Sequence, residues 1–486
     1  MRRCSAQQPE KRCAALGKIP LTMQNTPPQN RTKAEALFFD GVRLMGAGDV
    51  DAAETCFENA LLLAPDFAEA HANLGFLLEQ SDVAAAERHY RCAAASDPAN
   101  PQIFLNLGAL LADHKRFGEA ETAYRQAIAL APDAPAGWSN LGVLCACMKR
   151  EAAAESCYRK ALALDGDYAK ARFNLSYLLL RQGRFEEGWR SLEARDWYSA
   201  LEKHFAFPRW RGESLQGKSI LIVGEAGHGD MIQLCRYADA LRQRGAKSIS
   251  ILCHPPLKAL FQTLQNVDEI IAMDEPLPQH GRDFWVPPLS IPYYCETQLD
   301  TIPARLPYLR APPERVSAWA ARIPSEGLRV GLVWKGSRNF ENDADRSLPS
   351  LETLSPLGAV AGAHFISLQK GAGEDEAAHP PQALQPLLDL GSRLRDFADT
   401  AAVIAQLDLV ICVDTAVAHL TGALAKPCWV LLPDYKTDWR WMIDRTDTPW
   451  YPGVMQLFRQ PAGGGWEPVI REVAEALRRK QREFLL

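Results

Sequence analysis

Residues 101–134 read P-Q-I-F-L-N-L-G-A-L-L-A-D-H-K-R-F-G-E-A-E-T-A-Y-R-Q-A-I-A-L-A-P-D-A. The stretch is one copy of a pattern that recurs on both sides of it. Gly108 has counterparts at Gly41, Gly75 and Gly142, with Ser176 as the fifth member, at spacings of 34, 33, 34 and 34 residues. Ala53, Ala120 and Ala154 keep a fixed distance downstream, followed by Phe57, Tyr90, Tyr124 and Tyr158. Then come Ala60, Ala93, Ala127 and Ala161, and the prolines Pro65, Pro98 and Pro132. Glycine and alanine let two antiparallel helices approach closely. The aromatic is expected to fill the gap to the next repeat, and the proline to end the second helix. One such pair cannot bury its own apolar face, so about three or more must stack. Five are expected here, the last degenerate, with Gly188 and Leu192 standing where alanine and an aromatic stand elsewhere.

This pattern resembles the tetratricopeptide repeat over residues 34–200, an α-solenoid. Such an array offers a concave groove to a protein or peptide partner; the alternative is that it props up the next domain or dimerises. Asn73, Asn106, Asn140 and Asn174 share one phase. They are candidates for a ladder that hydrogen-bonds an extended peptide, or simply part of the repeat's helix chemistry.

Composition narrows the partners. With 54 basic and 59 acidic residues the charge is too balanced to argue for nucleic acid or an anionic membrane. Apolar runs fall short of the roughly 18 residues of a membrane helix; Ala401 to Val413 is interrupted by Asp408. The 12 cysteines form no C-x-x-C pair, so reduced thiols and a cytoplasmic protein are expected. Residues 1–33 read as a polar, disordered leader without a secretory h-region. Its basic content leaves a transit peptide as the minor alternative, and Met23 is an alternative start.

Beyond Phe207 the periodicity changes. Lys218–Val223 predicts a buried strand, Gly224–Asp230 a glycine-rich loop, Met231–Arg244 a helix and Ser248–Cys253 another strand. Further strands are expected at Ile270–Ile271 and Phe284–Val286, before a Pro-rich connector from Pro287 to Pro313. A second set follows: Arg329–Trp334, His364–Leu368, Leu409–Val413 and Cys428–Leu432 as strands, Ala416–Ala425 as a helix. The expected class is α plus α/β, a solenoid followed by two facing Rossmann-like domains at 208–325 and 326–486. Their ligands would sit outside the carboxyl ends of the strands.

Four motifs carry possible chemistry. Gly224–Asp230 offers backbone N–H groups to an anion, and Asp230 is either a general base or a helix cap. At Asp414-Thr415-Ala416 a helix start follows a strand directly, and its N–H groups suit a phosphate that His419, one turn in, could also reach. Lys335, Ser337 and Arg346 lie in one polar loop and suit a diphosphate. Asp343-Ala344-Asp345 superficially matches a metal-binding D-x-D. The same pattern starts at Asp49 and Asp165 in the repeats, so no metal is assigned. The tail aromatics Trp439, Trp441, Trp450, Tyr451, Phe458 and Trp466 suit either stacking on a base or sugar or core packing.

Taken together, G-H-G-D (227–230), R-S-L-P (346–349), S-L-Q-K-G (367–371) and D-T-A-V-A-H-L-T-G-A-L (414–424) resemble bacterial tetratricopeptide-linked glycosyltransferases of the GT-B fold. D-W-R-W, P-W-Y-P and L-F-R-Q (457–460) extend the match over about 208–480. The lipopolysaccharide heptosyltransferases are similar at greater distance, and the protein O-linked N-acetylglucosamine transferases share the layout. The resemblance implies an acceptor-side domain at 208–325 and a nucleotide-sugar-binding domain at 326–486 with a crossing tail helix. It implies Asp230 as catalytic base and Arg346 on the donor phosphates. Asp414, Thr415, Ala416 and His419 fall in the donor loop and helix start, and Lys335, Ser337, Gln369 and Lys370 in the neighbouring donor loops. Gly227, His228 and Gly229 fall in the acceptor loop. His228 and Met231 depart from the family pattern, which bears on the acceptor.

The resulting expectation is an inverting, metal-independent glycosyltransferase. It would use a nucleotide sugar as co-substrate, no cofactor, and an acceptor, plausibly a protein, presented by the repeats. An ordinary carboxylate is a weak base, so burial is expected to strengthen Asp230. The alternative is a non-enzymatic adaptor whose α/β half is degenerate or ligand-sensing.

Overall fold

The computed structural model describes residues 27–195, 197–276 and 281–485. It divides into a helical unit ending at Leu178 and an α/β unit beginning at Leu179.

The helical unit is a run of antiparallel helix pairs. The ten repeat helices are α1 (Pro28–Ala47), α2 (Val50–Leu63), α3 (Ala68–Leu78), α4 (Val83–Ser96) and α5 (Pro101–Asp113), then α6 (Phe117–Leu130), α7 (Pro135–Cys147), α8 (Glu151–Leu164), α9 (Ala169–Arg181) and α10 (Phe185–Leu192). The in-phase glycines explain the pairing. A Cβ on Gly41, Gly75, Gly108 or Gly142 would lie 2.7, 3.1, 2.6 or 2.6 Å from the ring of Phe57, Tyr90, Tyr124 or Tyr158. The aromatic therefore packs into the gap left by the glycine of its own repeat, which corrects the expected reach to the next one. Pro65, Pro98 and Pro132 each lie one residue beyond the C-cap of α2, α4 and α6, where they block a further turn.

Two boundaries move. The first helix begins at Pro28, so the leader expected to reach residue 33 stops short of it; residues 1–26 lie outside the described set. The solenoid expected to reach residue 200 gives up its last helix to the α/β unit. The reason is packing. Trp189 on α10 meets Trp439 edge-on at 5.2 Å and donates from Nε1 to the Thr297 carbonyl at 3.0 Å.

The α/β unit holds two parallel sheets. The first comprises β1 (Ser219–Val223), β2 (Ser248–Cys253), β3 (Glu269–Ala272) and β4 (Phe284–Val286) in the order β3-β2-β1-β4. The second comprises β5 (Leu328–Val333), β6 (Ala363–Ser367), β7 (Leu387–Asp389), β8 (Leu409–Val413), β9 (Cys428–Leu432) and β10 (Met455–Arg459). Its order is β10-β9-β8-β5-β6-β7. Central strands such as β8 are buried along their whole length, as strands covered on both faces must be. Numbered from β5, the second sheet runs 6-5-4-1-2-3, the doubly wound order whose ligand crevice opens between first and fourth strands. Those strands are β5 and β8; in the first sheet the order reverses between β1 and β4.

The expected helix over Met231–Arg244 is two helices, His228–Leu234 and Tyr237–Gln243. Arg236 turns inward at the break and its Nε takes the Gln233 carbonyl at 2.8 Å. The tail helix, Glu467–Phe484, does not cross to the first sheet's core. Val469, Ile470, Val473 and Leu477 enter the core of the second sheet beside Leu328, Val330 and Trp429. Among the described residues, no helix is long and apolar enough to cross a membrane.

Candidate functional site

The carboxyl ends of β1 and β8 each lead through a short loop, four and two residues long, into a helix, and the two helix starts touch. A Cβ on Gly229 would lie 2.9 Å from Cδ2 of His419 and 3.4 Å from Cα of Ala416, so only glycine admits this approach. Gly227, His228, Gly229 and Asp230 are thereby brought against Ala416 and His419, as a shared site requires.

Asp230 occupies the third position of its helix. Its Oδ2 accepts from the Gly227 N–H at 2.8 Å, half of a capping box. Its Oδ1 accepts from Arg440 Nη2 at 2.5 Å. The carboxylate thus sits, with its side chain largely buried, in an ion pair. Arg440 is almost fully buried and also bonds both oxygens of Asp438 at 3.1 and 3.2 Å. Its Nε reaches Gln233 Oε1, and its guanidinium lies 4.3 Å from the Trp439 ring centroid. His228 lies between His254 and Phe397, at 4.8 and 5.1 Å between ring centroids.

His419 is buried. Its Nδ1 meets the Tyr451 hydroxyl at 2.9 Å and its ring stacks on Trp441 at 5.4 Å. Burial, helped by the Arg440 cation, pushes the imidazole down to about 3, so the ring is neutral and offers no charge to an anion.

At the crevice between β5 and β8, Arg346 Nη1 donates to the Asp414 carbonyl at 3.0 Å while its Nε meets Asp343 at 3.2 Å. Gly336 makes room for it; a Cβ there would lie 2.5 Å from Arg346 Nη2. Burial and the nearby Asp438 push the Asp414 carboxyl up to about 6, against the opposing pull of Arg346 and Arg440. Thr415 caps the Ala416–Ala423 helix in an extended conformation without a side-chain cap bond, and its Oγ1 is buried without a partner among the described residues.

Other expected donor residues are occupied elsewhere. Lys335 Nζ pairs with Glu376 of the short helix that follows β6. Gln369 is a framework residue: its Oε1 accepts from the N–H groups of Trp334 and Lys335 at 2.9 and 3.0 Å. Its Nε2 donates to the Lys335 and Ala372 carbonyls at 2.9 and 2.7 Å. Lys370 is largely exposed, 3.6 Å from Glu374, and Ser337 is exposed with its Oγ accepting from Asn339 N–H at 3.3 Å. Asp343 of the D-x-D accepts from Arg346 and Ser347. Among the described residues, no group of three or more His, Cys, Asp or Glu side chains is placed to hold a metal.

The tail aromatics Trp439, Trp441, Trp450 and Tyr451 are all buried, in line with core packing. In the repeats, Asn73, Asn106, Asn140 and Asn174 are buried as well. A buried ion network was not foreseen. Arg195 meets Glu225 of the β1 loop through two bonds of 2.9 Å, both side chains being fully buried, and Glu193 and Ser290 join it at 2.7 Å. Nothing in the spacing of these residues announces it.

Family models of the tetratricopeptide repeat match residues 41–75, 77–135, 136–168 and 157–190. The N-terminal region carries tetratricopeptide repeats. Protein FlbA of Caulobacter vibrioides is 29% identical over an alignment covering 64% of this chain and 55% of FlbA. The chain thus spans about half the length of this curated relative. Similar solved structures include pilF of Pseudomonas aeruginosa, 25% identical over 34% of this chain and 76% of that one, with a TM-score of 0.32. A thermophilic TPR protein of Thermus thermophilus is 24% identical over 35% and 90%, with a TM-score of 0.30. YrrB, described as a TPR protein with an unusual peptide-binding site, is 18% identical over 34% and 86%, with a TM-score of 0.29.

Proposed function

We propose that the α/β unit is a GT-B glycosyltransferase, inverting and metal-independent, and that the repeats hold a protein or peptide acceptor. The observation that carries this reading is the meeting of two strand–helix turns, one from each sheet, at Gly229 and His419. The second sheet's order adds support, since it opens a crevice where Arg346, Asp414 and Thr415 lie. In this reading the nucleotide sugar's diphosphate lies at the start of the Ala416–Ala423 helix, beside the buried Thr415 hydroxyl that has no partner among the described residues, where a helix start offers N–H groups to an anion. Arg346, whose Nη1 reaches the Asp414 carbonyl at the helix start, supplies charge to the leaving diphosphate.

Asp230 takes the proton of the acceptor hydroxyl. That oxygen bonds to the anomeric carbon as the bond to the diphosphate breaks, and the sugar inverts. A carboxylate has about four lone-pair sites, so bonds to Gly227 and Arg440 are compatible with a further bond from a substrate hydroxyl. His419 contributes as a neutral group that fixes Tyr451.

The test is a panel of nucleotide sugars screened for binding by thermal shift and for slow hydrolysis. Wild type should bind and turn over one donor. Asp230→Asn should keep binding but lose about 10²–10⁴-fold of turnover, the range a general base supplies. Full turnover in that variant removes the base role.

A second reading, a non-enzymatic adaptor, is favoured by the internal pairing of Asp230, Lys335 and Gln369. It expects no donor to bind at millimolar concentration, with activity confined to partners of the repeats.

A further inference from the structure

Arg440 comes from the second sheet's side of the unit, in the loop between β9 and β10, yet its guanidinium ends on Asp230 at the first sheet. The two residues are 210 positions apart in the chain. Four groups fix the arginine at once: Asp230, Asp438, Gln233 and the face of Trp439. Gln233 is fully buried and its Nε2 has no partner among the described residues, so its amide is turned to serve Arg440 at the expense of its own donors.

The loop that carries Arg440 is held in a costly shape. Lys436, Met442 and Asp444 have φ of 52°, 57° and 39°, in the left-handed region that non-glycine residues avoid. Strain of this kind persists only where surroundings over-determine it, and it concentrates at functional sites. Here the restraints are visible. Asn342 Nδ2 donates to the Tyr435 and Lys436 carbonyls at 3.1 and 3.3 Å, and Arg459 Nη2 to the Trp441 and Met442 carbonyls at 2.5 and 3.2 Å. The N–H of Arg440 itself is capped by Asp438 at 2.9 Å.

We propose that Arg440 is a positioning residue for Asp230, holding the carboxylate from the opposite sheet so that the base is presented only while this arginine joins the two halves. The inference rests on the transferase reading for its catalytic consequence, but not for the contact itself. Both sheets are then needed to build one base, which links acceptor activation to the half that carries Arg346 and Asp414.

The experiment uses the full chain with Arg440→Met and Arg440→Lys. Binding of uridine, guanosine, adenosine and cytidine diphosphates is measured by calorimetry, turnover with the sugar donor that wild type uses, and exposure of Asp230 by carbodiimide labelling with peptide mapping. Arg440→Met should leave diphosphate affinity and KM unchanged and lower kcat by about 100-fold, the scale of a misplaced base. Arg440→Lys should restore part of kcat, because an ammonium keeps the charge but not the fork. Labelling of Asp230 should rise severalfold in Arg440→Met. Unchanged kcat in the folded variant, or a parallel loss of diphosphate binding, overturns the proposal. If wild type turns nothing over, the transferase reading fails by itself. The labelling then decides alone: a rise upholds the positioning of Asp230 by Arg440, and equal labelling overturns it.

Discussion

A Cβ built on Gly108 would lie 2.6 Å from Cε1 of Tyr124, a ring that is fully buried and has nowhere to retreat. One built on Gly118, an exposed position near the start of α6, would meet nothing within 4 Å. Alanine favours a helix interior over glycine by about 1 kcal/mol, as at Gly108, and by less in the first turn, where Gly118 lies. Overpacking opposes that gain at Gly108 alone, at a cost of about 1–3 kcal/mol. Gly108→Ala should therefore lower the denaturant midpoint of the helical unit, and Gly118→Ala should leave it unchanged or raise it. Shifts of one sign in both variants would show that the fit against Tyr124 is not what selects glycine. The shared phase of glycine and aromatic was legible in the sequence, but their contact within one repeat was not, because a fixed spacing does not say which neighbouring helix the ring meets. The roles of Lys335 and Gln369 were not legible, since a lysine and a glutamine beside a strand end look alike whether they face a ligand or the neighbouring strand's loop.

The helices α3 and α4 hold a histidine pair that sets a pH dependence. His71 Nε2 meets the Pro65 carbonyl at 3.0 Å and must donate to it. Its Nδ1 therefore accepts, and His89 Nδ1 donates across 2.9 Å. One added proton leaves this bond possible, on His89 Nε2 or on His71 Nδ1 with His89 turned acceptor, but with both rings charged two N–H groups would face each other. Burial, with His71 and Arg88 adding to it, holds His89 down to about 4, and burial lowers His71 despite the pull of the Pro65 carbonyl and Asp66. The folded chain thus refuses protons that the unfolded chain takes up below about pH 6.5. The pair's contribution is present at neutral pH and is lost as pH falls from about 6.5 toward 4. Glu69 on α3, raised to about 7 by burial, acts with the opposite sign in this window, so the pair is read by difference: in urea unfolding the helical unit should lose more stability between pH 7 and 5 in wild type than in His89→Gln. Equal slopes would mean that the pair is energetically silent.

At the scale of the molecule, the division at Leu178 and Leu179 separates the repeats from a unit that needs their last helix and its exit. Glu225 is fully buried against Arg195, and Arg209 is held by Glu193 and Ser290. Removing one partner of such a buried pair costs about 3–5 kcal/mol. A fragment of residues 179–486 should be folded and melt cooperatively. A fragment starting at 208, the boundary at which the composition changes, loses Glu193 and Arg195 and should be aggregated or molten by circular dichroism and size exclusion. A well-folded 208–486 fragment would show that the network is dispensable.

What the sequence determined by itself is everything set by near neighbours. The 34-residue phase gave the repeats. The strand-to-helix turns put Asp230 and Asp414 at strand ends, because a buried apolar run followed by a glycine-rich or capping loop can fold in few ways. The edge strands β7 and β10 were not legible, because Asp389 ends β7 after two leucines and Gln456 and Arg459 interrupt the apolar run of β10. The tertiary structure alone decided the sheet order and the placement of the tail helix on its own sheet. It also decided the pairing of Asp230 with Arg440 and of Glu225 with Arg195. Those depend on where distant segments are carried by the path of the chain, and no local spacing encodes which buried cation will meet which buried carboxylate.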